Sequence, residues 1–161
     1  MHDITVVSLG PGSPDLLTLG ALKALEAAPQ VLLRTARHAA AGELKARGIV
    51  FDTLDSLHEQ SEDFDAFARA AANKVQEMAA KGRLCYAVPD PGQDESVRLL
   101  VESCGDQVTL LPGVTLEAPL LAAAAPGRPL IITDATRLSV HDGQHPLCLT
   151  ELDSQPLAGD C

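Results

Sequence analysis

Three short stretches carry the residue types that could recognise a ligand: Gly10-Pro11-Gly12, Pro89-Asp90-Pro91-Gly92 and Pro112-Gly113-Val114-Thr115. Each follows an apolar run and precedes a run with helical spacing, so each reads as the turn between a strand and a helix. Such turns lie at the carboxyl ends of parallel strands, where open α/β sheets bind ligands. Glycine allows close approach of backbone to ligand, and proline stiffens the loop. The chemistry this suggests is recognition by backbone groups in a cleft. A single such turn is ordinary in βα connections; three along one edge make a candidate cleft.

Other chemistry is less well supported. The chain has no G-x-S-x-G elbow, no G-x-x-x-x-G-K-[ST] phosphate loop and no G-x-G-x-x-G fingerprint. None of the five histidines has an evident Ser or Cys partner, so no catalytic residue is identified. Cys85, Cys104, Cys148 and Cys161 include no C-x-x-C pair, which argues against zinc and thioredoxin-like chemistry. Cys85 lies in an apolar run and reads as a buried thiol. His141 and His145 have the spacing to face one metal on a helix, but Asp142, Gly143 and Pro146 favour a loop. Glu59, Glu62, Asp63 and Asp65 read as a solvated acidic stretch rather than a magnesium site. No metal is expected. Phosphate at the Gly-Pro-Gly turn is disfavoured, because no Lys or Arg is near and Asp15 adds negative charge at the helix start.

The elements that must position these turns alternate strand and helix, which argues for an α/β fold with a mainly parallel five-stranded sheet flanked by helices. Strands are expected at 4–9, 30–33, 49–51, 84–88 and 107–111. Helices are expected at 16–27, 37–47, 64–81, 95–104 and 116–124. The stretch 52–65 reads as an acidic loop with a short helical turn. Phe64, Phe67, Ala71, Val75 and Met78 fall near helical period, and Val97, Leu100 and Val101 are expected to point inward. Pro126-Gly127-Arg128-Pro129 reads as a linker, followed by strands at 130–133 and 147–150. This gives a domain over 1–125, a linker over 126–129 and the incomplete start of a second domain over 130–161.

Composition sets the outer bounds. At 161 residues the chain can bury a sizeable core, and 46% of it is hydrophobic. Three Phe, one Tyr and no Trp make that core aliphatic and leave no base-stacking platform. A net charge of −10 repels phosphate backbones and anionic lipid, so neither nucleic acid nor membrane is an expected partner. There is no positive n-region at the start and no run of about 18 apolar residues, so a cytoplasmic location is expected.

Val6-Val7-Ser8-Leu9-Gly10-Pro11-Gly12-Ser13-Pro14-Asp15-Leu16-Leu17-Thr18-Leu19-Gly20-Ala21, with Tyr86-Ala87-Val88-Pro89 and Leu110-Leu111-Pro112-Gly113-Val114-Thr115, resembles a tetrapyrrole methylase domain. That class methylates corrin and porphyrin precursors with S-adenosylmethionine. Arg34-Thr35-Ala36-Arg37-His38 and Glu62-Asp63-Phe64-Asp65 resemble in particular the subgroup fused to a MazG-type nucleotide pyrophosphohydrolase, the YabN-like arrangement. The likeness covers nearly all of the chain and weakens after Pro126.

The resemblance implies two α/β domains with S-adenosylmethionine in the cleft between them. It implies Gly10, Pro11 and Gly12, then Asp90, Pro91, Gly92 and Gln93, then Thr115 and Leu116 as cofactor-binding residues, mostly through backbone. The implied partners are a small tetrapyrrole-like substrate, a MazG-type domain and a second copy of the chain. Two departures stand out. The second loop usually reads P-G-[DH]-P in the family, and Asp90 occupies the glycine position. The family's second domain needs on the order of 100 residues, whereas only Pro146 to Cys161 resembles its opening. No MazG-type acidic helices are present, so no pyrophosphohydrolase activity is expected of this chain. The expected function is methyl transfer from S-adenosylmethionine to a tetrapyrrole or related substrate. The alternative is a methylase-fold module that has lost cofactor binding and serves a fused or associated MazG-type partner.

Overall fold

The strand Leu84–Val88 carries no charged residue and is buried at every position, as a strand covered on both faces must be. It is β4, and the sheet is built around it. The computed structural model describes residues 3–124, 131–134 and 147–150. In chain order these hold β1 (Ile4–Ser8), a 3₁₀ turn (Pro14–Leu16), α1 (Leu19–Ala27), β2 (Val31–Leu33), α2 (Ala40–Ala46), β3 (Asp52–Thr53) and α3 (Asp55–Gln60). Then come α4 (Phe64–Ala79), β4, α5 (Glu95–Cys104), β5 (Val108–Leu111), α6 (Ala118–Ala124), β6 (Ile131–Asp134) and β7 (Leu147–Thr150). By contacts the chain parts into two units, Met1–Leu116 and Glu117–Cys161.

The first unit holds a five-stranded sheet of order β3-β2-β4-β1-β5. Every neighbouring pair in it is parallel. Alternate side chains go to opposite faces. On one face Ile4, Val6, Tyr86 and Val88 pack with Phe67, Ala71 and Val75 of α4 and with Val97 and Leu100 of α5. On the other, Val7, Cys85 and Ala87 pack with Ala21 and Leu25 of α1 and Ala40 and Leu44 of α2. β1 is thus followed by a helix on one face and its neighbour β4 by a helix on the other. That is the switch point at which open α/β sheets form a ligand crevice. In the second unit, β6 and β7 pair in parallel, Ile131 opposite Leu147 through Asp134 opposite Thr150.

Several expected boundaries move. The first helix begins at Leu19, not 16, because Ser13-Pro14-Asp15-Leu16 closes a separate turn and Thr18 then caps α1, its Oγ1 accepting from Ala21 N–H at 3.1 Å. The third strand is Asp52–Thr53, not 49–51, since Gly48 and Ile49 donate back to Lys45 and Leu44 and so finish α2. The acidic stretch contains a helix, α3. Val101 is 40% exposed and does not point inward as expected, and Phe64, though near helical period, is 61% exposed. Phe64 is the first residue of α4, beyond the reach of the sheet. The linker 126–129, His141 and His145 lie outside the described residues.

Candidate functional site

Register brings the three turns together. Ser8 pairs with Val88 and Val7 with Leu111 at the carboxyl ends of β1, β4 and β5. Loop 1 (9–18), loop 2 (89–94) and loop 3 (112–116) therefore leave the sheet from adjacent positions.

Ser8 is where they meet. Its Oγ donates to Pro89 O at 2.9 Å and accepts from Gly10 N–H at 3.1 Å. Gly10 N–H also reaches Pro89 O at 3.0 Å, and Leu9 N–H reaches Val88 O at 2.8 Å. Loop 1 and loop 2 are thus stitched together for two residues past the end of the ladder. Gly10 sits at φ +78°, a left-handed conformation that glycine adopts freely. Gly113 of loop 3 lies against Ser8 so closely that a Cβ there would stand 2.5 Å from the serine Cβ and Oγ. Only glycine fits that approach.

Asp90 ties loop 2 to itself and to loop 3. Its Oδ1 accepts from Gly92 N–H at 2.9 Å, and its carbonyl accepts from Gln93 N–H at 3.2 Å. Its Oδ2 accepts from Leu116 N–H at 3.4 Å. At the end of the loop, Asp94 caps α5 by accepting from Ser96 N–H and Val97 N–H. Asp94 also accepts from Ser96 Oγ and from Arg34 Nε, the latter at 2.6 Å. The Ser96 hydroxyl proton goes to the carboxylate, so Tyr86 donates its own to Ser96 Oγ at 3.0 Å. Burial and then the Asp94 charge hold the Tyr86 hydroxyl well above its ordinary pKa, so it stays a neutral donor. Beside it, burial pushes the Cys85 thiol up to about 12, which leaves it a packing residue, as expected.

The sequence-derived site residues thus gather on one edge. Pro11, Gly12, Asp90 and Pro91 are half-buried, while Gly92, Gln93, Thr115 and Leu116 are exposed. Among the described residues, no hydrogen bond uses Gly12 N–H or the Thr115 hydroxyl. Sequence reasoning passed over Ser8 as a strand residue and missed Asp94, Arg34 and His38. Asp94 had a signal, since it precedes a helical run that begins Glu95-Ser96. His38 and Arg34 had none, because their partners lie 28 and 60 residues away. Farther along the edge, Arg34, Thr35, Arg37, Asp55 and His58 line a cavity of about 200 Å³, below the usual ligand range of roughly 300–1,000 Å³. Among the described residues there is no cluster of three or more His, Cys, Asp or Glu arranged to hold a metal, and no helix long and apolar enough to cross a membrane.

Comparison with known proteins bears on the fold and the family. Uncharacterized protein YabN of Bacillus subtilis (strain 168) is 34% identical over 101 residues, which is 62% of this chain and 21% of that protein. The chain therefore spans about a fifth of the length of that curated relative. A putative cobalamin synthesis related protein (CobF) from Corynebacterium diphtheriae superposes with a TM-score of 0.66 at 20% identity, over all of this chain and 76% of that one. Uroporphyrin-III-C-methyltransferase from Thermus thermophilus gives 0.62 at 21%, over 87% of this chain and 64% of that one. The same kind of enzyme complexed with S-adenyl homocysteine gives 0.50 at 23%, over 89% and 58%. At these identities the structural likeness establishes a shared fold. The model of the family described as Tetrapyrrole (Corrin/Porphyrin) Methylases matches residues 3–154, nearly the whole chain, and the chain belongs to that family.

Proposed function

We propose that loops 1, 2 and 3 form one wall of an S-adenosylmethionine site, and that the protein carrying them transfers a methyl group to a tetrapyrrole or related small molecule. The observation that carries this is the switch-point edge itself. Three backbone-rich loops begin at adjacent registers and are joined through Ser8. The residues suit the cofactor: Gly12 N–H is unused, the Thr115 hydroxyl is exposed, and Gly113 keeps loop 3 close to the sheet end. Gly10 to Gly12, Asp90 to Gln93, and Thr115 with Leu116 would hold it.

Bound S-adenosylmethionine would supply an activated methyl group. The attacking atom belongs to the substrate, so the chain's part is alignment and exclusion of water rather than nucleophilic attack. The joined loops do this by limiting the freedom of the backbone donors.

A second reading has one observation in its favour. Asp90 stands where the resemblance expects glycine, and its carboxylate accepts from Leu116 N–H, one of the backbone donors of loop 3. A module that had lost cofactor binding and served a MazG-type partner would tolerate this. Calorimetric titration with S-adenosylhomocysteine separates the two readings. The methylase reading expects saturable binding, and no heat up to millimolar ligand would overturn it.

A further inference from the structure

The connection from β2 to α2, residues 34–39, reaches both loops at the β1–β4 switch point. His38 faces loop 1. Its Nδ1 accepts from Ala40 N–H at 3.1 Å, so its proton is on Nε2, which donates to Gly10 O at 3.0 Å. Arg34 faces loop 2. Its Nε donates to Asp94 Oδ2, and its guanidinium lies 4.8 Å from the centre of the Phe67 ring. The connection is itself anchored. Arg34 N–H bonds Ala87 O at 2.9 Å, Thr35 Oγ1 donates to Asp55 Oδ1, and Ala36 N–H donates to Asp55 Oδ2 at 2.9 Å.

Gly10 is therefore gripped from two sides. Its N–H is held by Ser8 and Pro89, and its carbonyl is held by His38. Pro11 follows directly, so its ring is set by a fixed peptide. Likewise Asp94 is held between the α5 amides and Arg34, which fixes where loop 2 ends. Loops rich in glycine lose conformational freedom when they bind, and holding them in place beforehand removes part of that cost.

We propose that residues 34–39 are a clasp that sets loops 1 and 2 for cofactor binding, with His38 and Arg34 as positioning residues. The proposal rests on the reading that these loops take S-adenosylmethionine. It gives the Arg34-Thr35-Ala36-Arg37-His38 stretch a role that its own sequence did not reveal.

The test compares His38→Ala, His38→Gln and Arg34→Gln with the wild-type chain in three measurements. These are S-adenosylhomocysteine affinity by calorimetry, amide hydrogen exchange without ligand, and melting temperature. His38→Ala is expected to weaken binding about tenfold, and to speed exchange over 9–17 while β4 and α4 stay protected. His38→Gln keeps an N–H donor and is expected to recover most of the affinity. Arg34→Gln is expected to speed exchange over 89–97. Wild-type affinity and unchanged loop exchange in His38→Ala and Arg34→Gln would overturn the clasp, as would faster exchange spread evenly over the sheet. Should the wild-type chain fail to bind, the cofactor reading falls, and the exchange comparison still decides whether the clasp holds the loops.

Discussion

A single hydroxyl lies where three loops converge. Ser8 Oγ bonds Pro89 O and Gly10 N–H, and Gly113 closes over the same side chain. Serine has few atoms that can move aside, so a methyl group at 113 must displace loop 3. Gly113→Ala is expected to lower stability by about 1–3 kcal/mol, read from urea denaturation, and to weaken S-adenosylhomocysteine binding. Stability and binding equal to wild type would show that loop 3 is not held by this contact. Asp90 acts in the opposite sense. Its carboxylate occupies Leu116 N–H and stiffens its own turn through Gly92. Asp90→Gly removes the carboxylate and frees that amide. It is expected to tighten S-adenosylhomocysteine binding about fivefold by calorimetry; weaker binding would mean the carboxylate supports the site.

Helix ends and short connections position those residues. Asp94 caps α5, receives Arg34 and is nearly buried, with 5% of its side chain exposed. Asp94→Ala removes a cap and leaves the guanidinium without its partner, so a loss of about 2–4 kcal/mol is expected in urea denaturation. Asp94→Asn keeps the cap and is expected to lose less; equal losses would assign the effect to charge alone. Asp55 opens α3 and anchors the β2–α2 connection. Burial tends to raise its pKa, but hydrogen bonds from Thr35, Ala36 and Thr53 and the Arg37 charge together hold it below the usual value. Its stabilising contribution is therefore present above the unfolded-state pKa and is lost as pH falls through the lower folded value. Asp55→Asn is expected to lower stability near pH 7 and to converge on wild type as pH drops below about 4. A difference that stayed constant with pH would exclude the ionised carboxylate as the cause.

Much of this scale could be read from the sequence. The expected bounds of β4 and α5 are the observed ones, because β4 is an unbroken apolar run, α5 keeps a helical period, and each has a clear stop. β3 could not be placed, since Ile49-Val50-Phe51 is apolar yet Val50 is 89% exposed. Apolarity signals burial there, in Ile49 and Phe51 packed against the α1–α2 side, while pairing is set by the register of Leu32 with Asp52. The loops of the site were legible from Gly and Pro. The side chains that hold them were not, because a hydrogen bond across 28 or 60 residues leaves no local trace.

At the scale of the molecule, every candidate residue from Gly10 to Leu116 lies in the unit Met1–Leu116. The family match continues to residue 154. The parallel sheet and its switch point are a property of the fold, whereas methyl transfer is proposed from the loops. The central claim is that loops 1, 2 and 3 bind one ligand together. Hydrogen exchange followed by mass spectrometry, with and without saturating S-adenosylhomocysteine, tests it most directly. Slower exchange over 9–17, 89–97 and 112–116, with α3 and α4 unchanged, is the predicted result. Binding that protects none of these loops, or protects a different edge of the sheet, would contradict it.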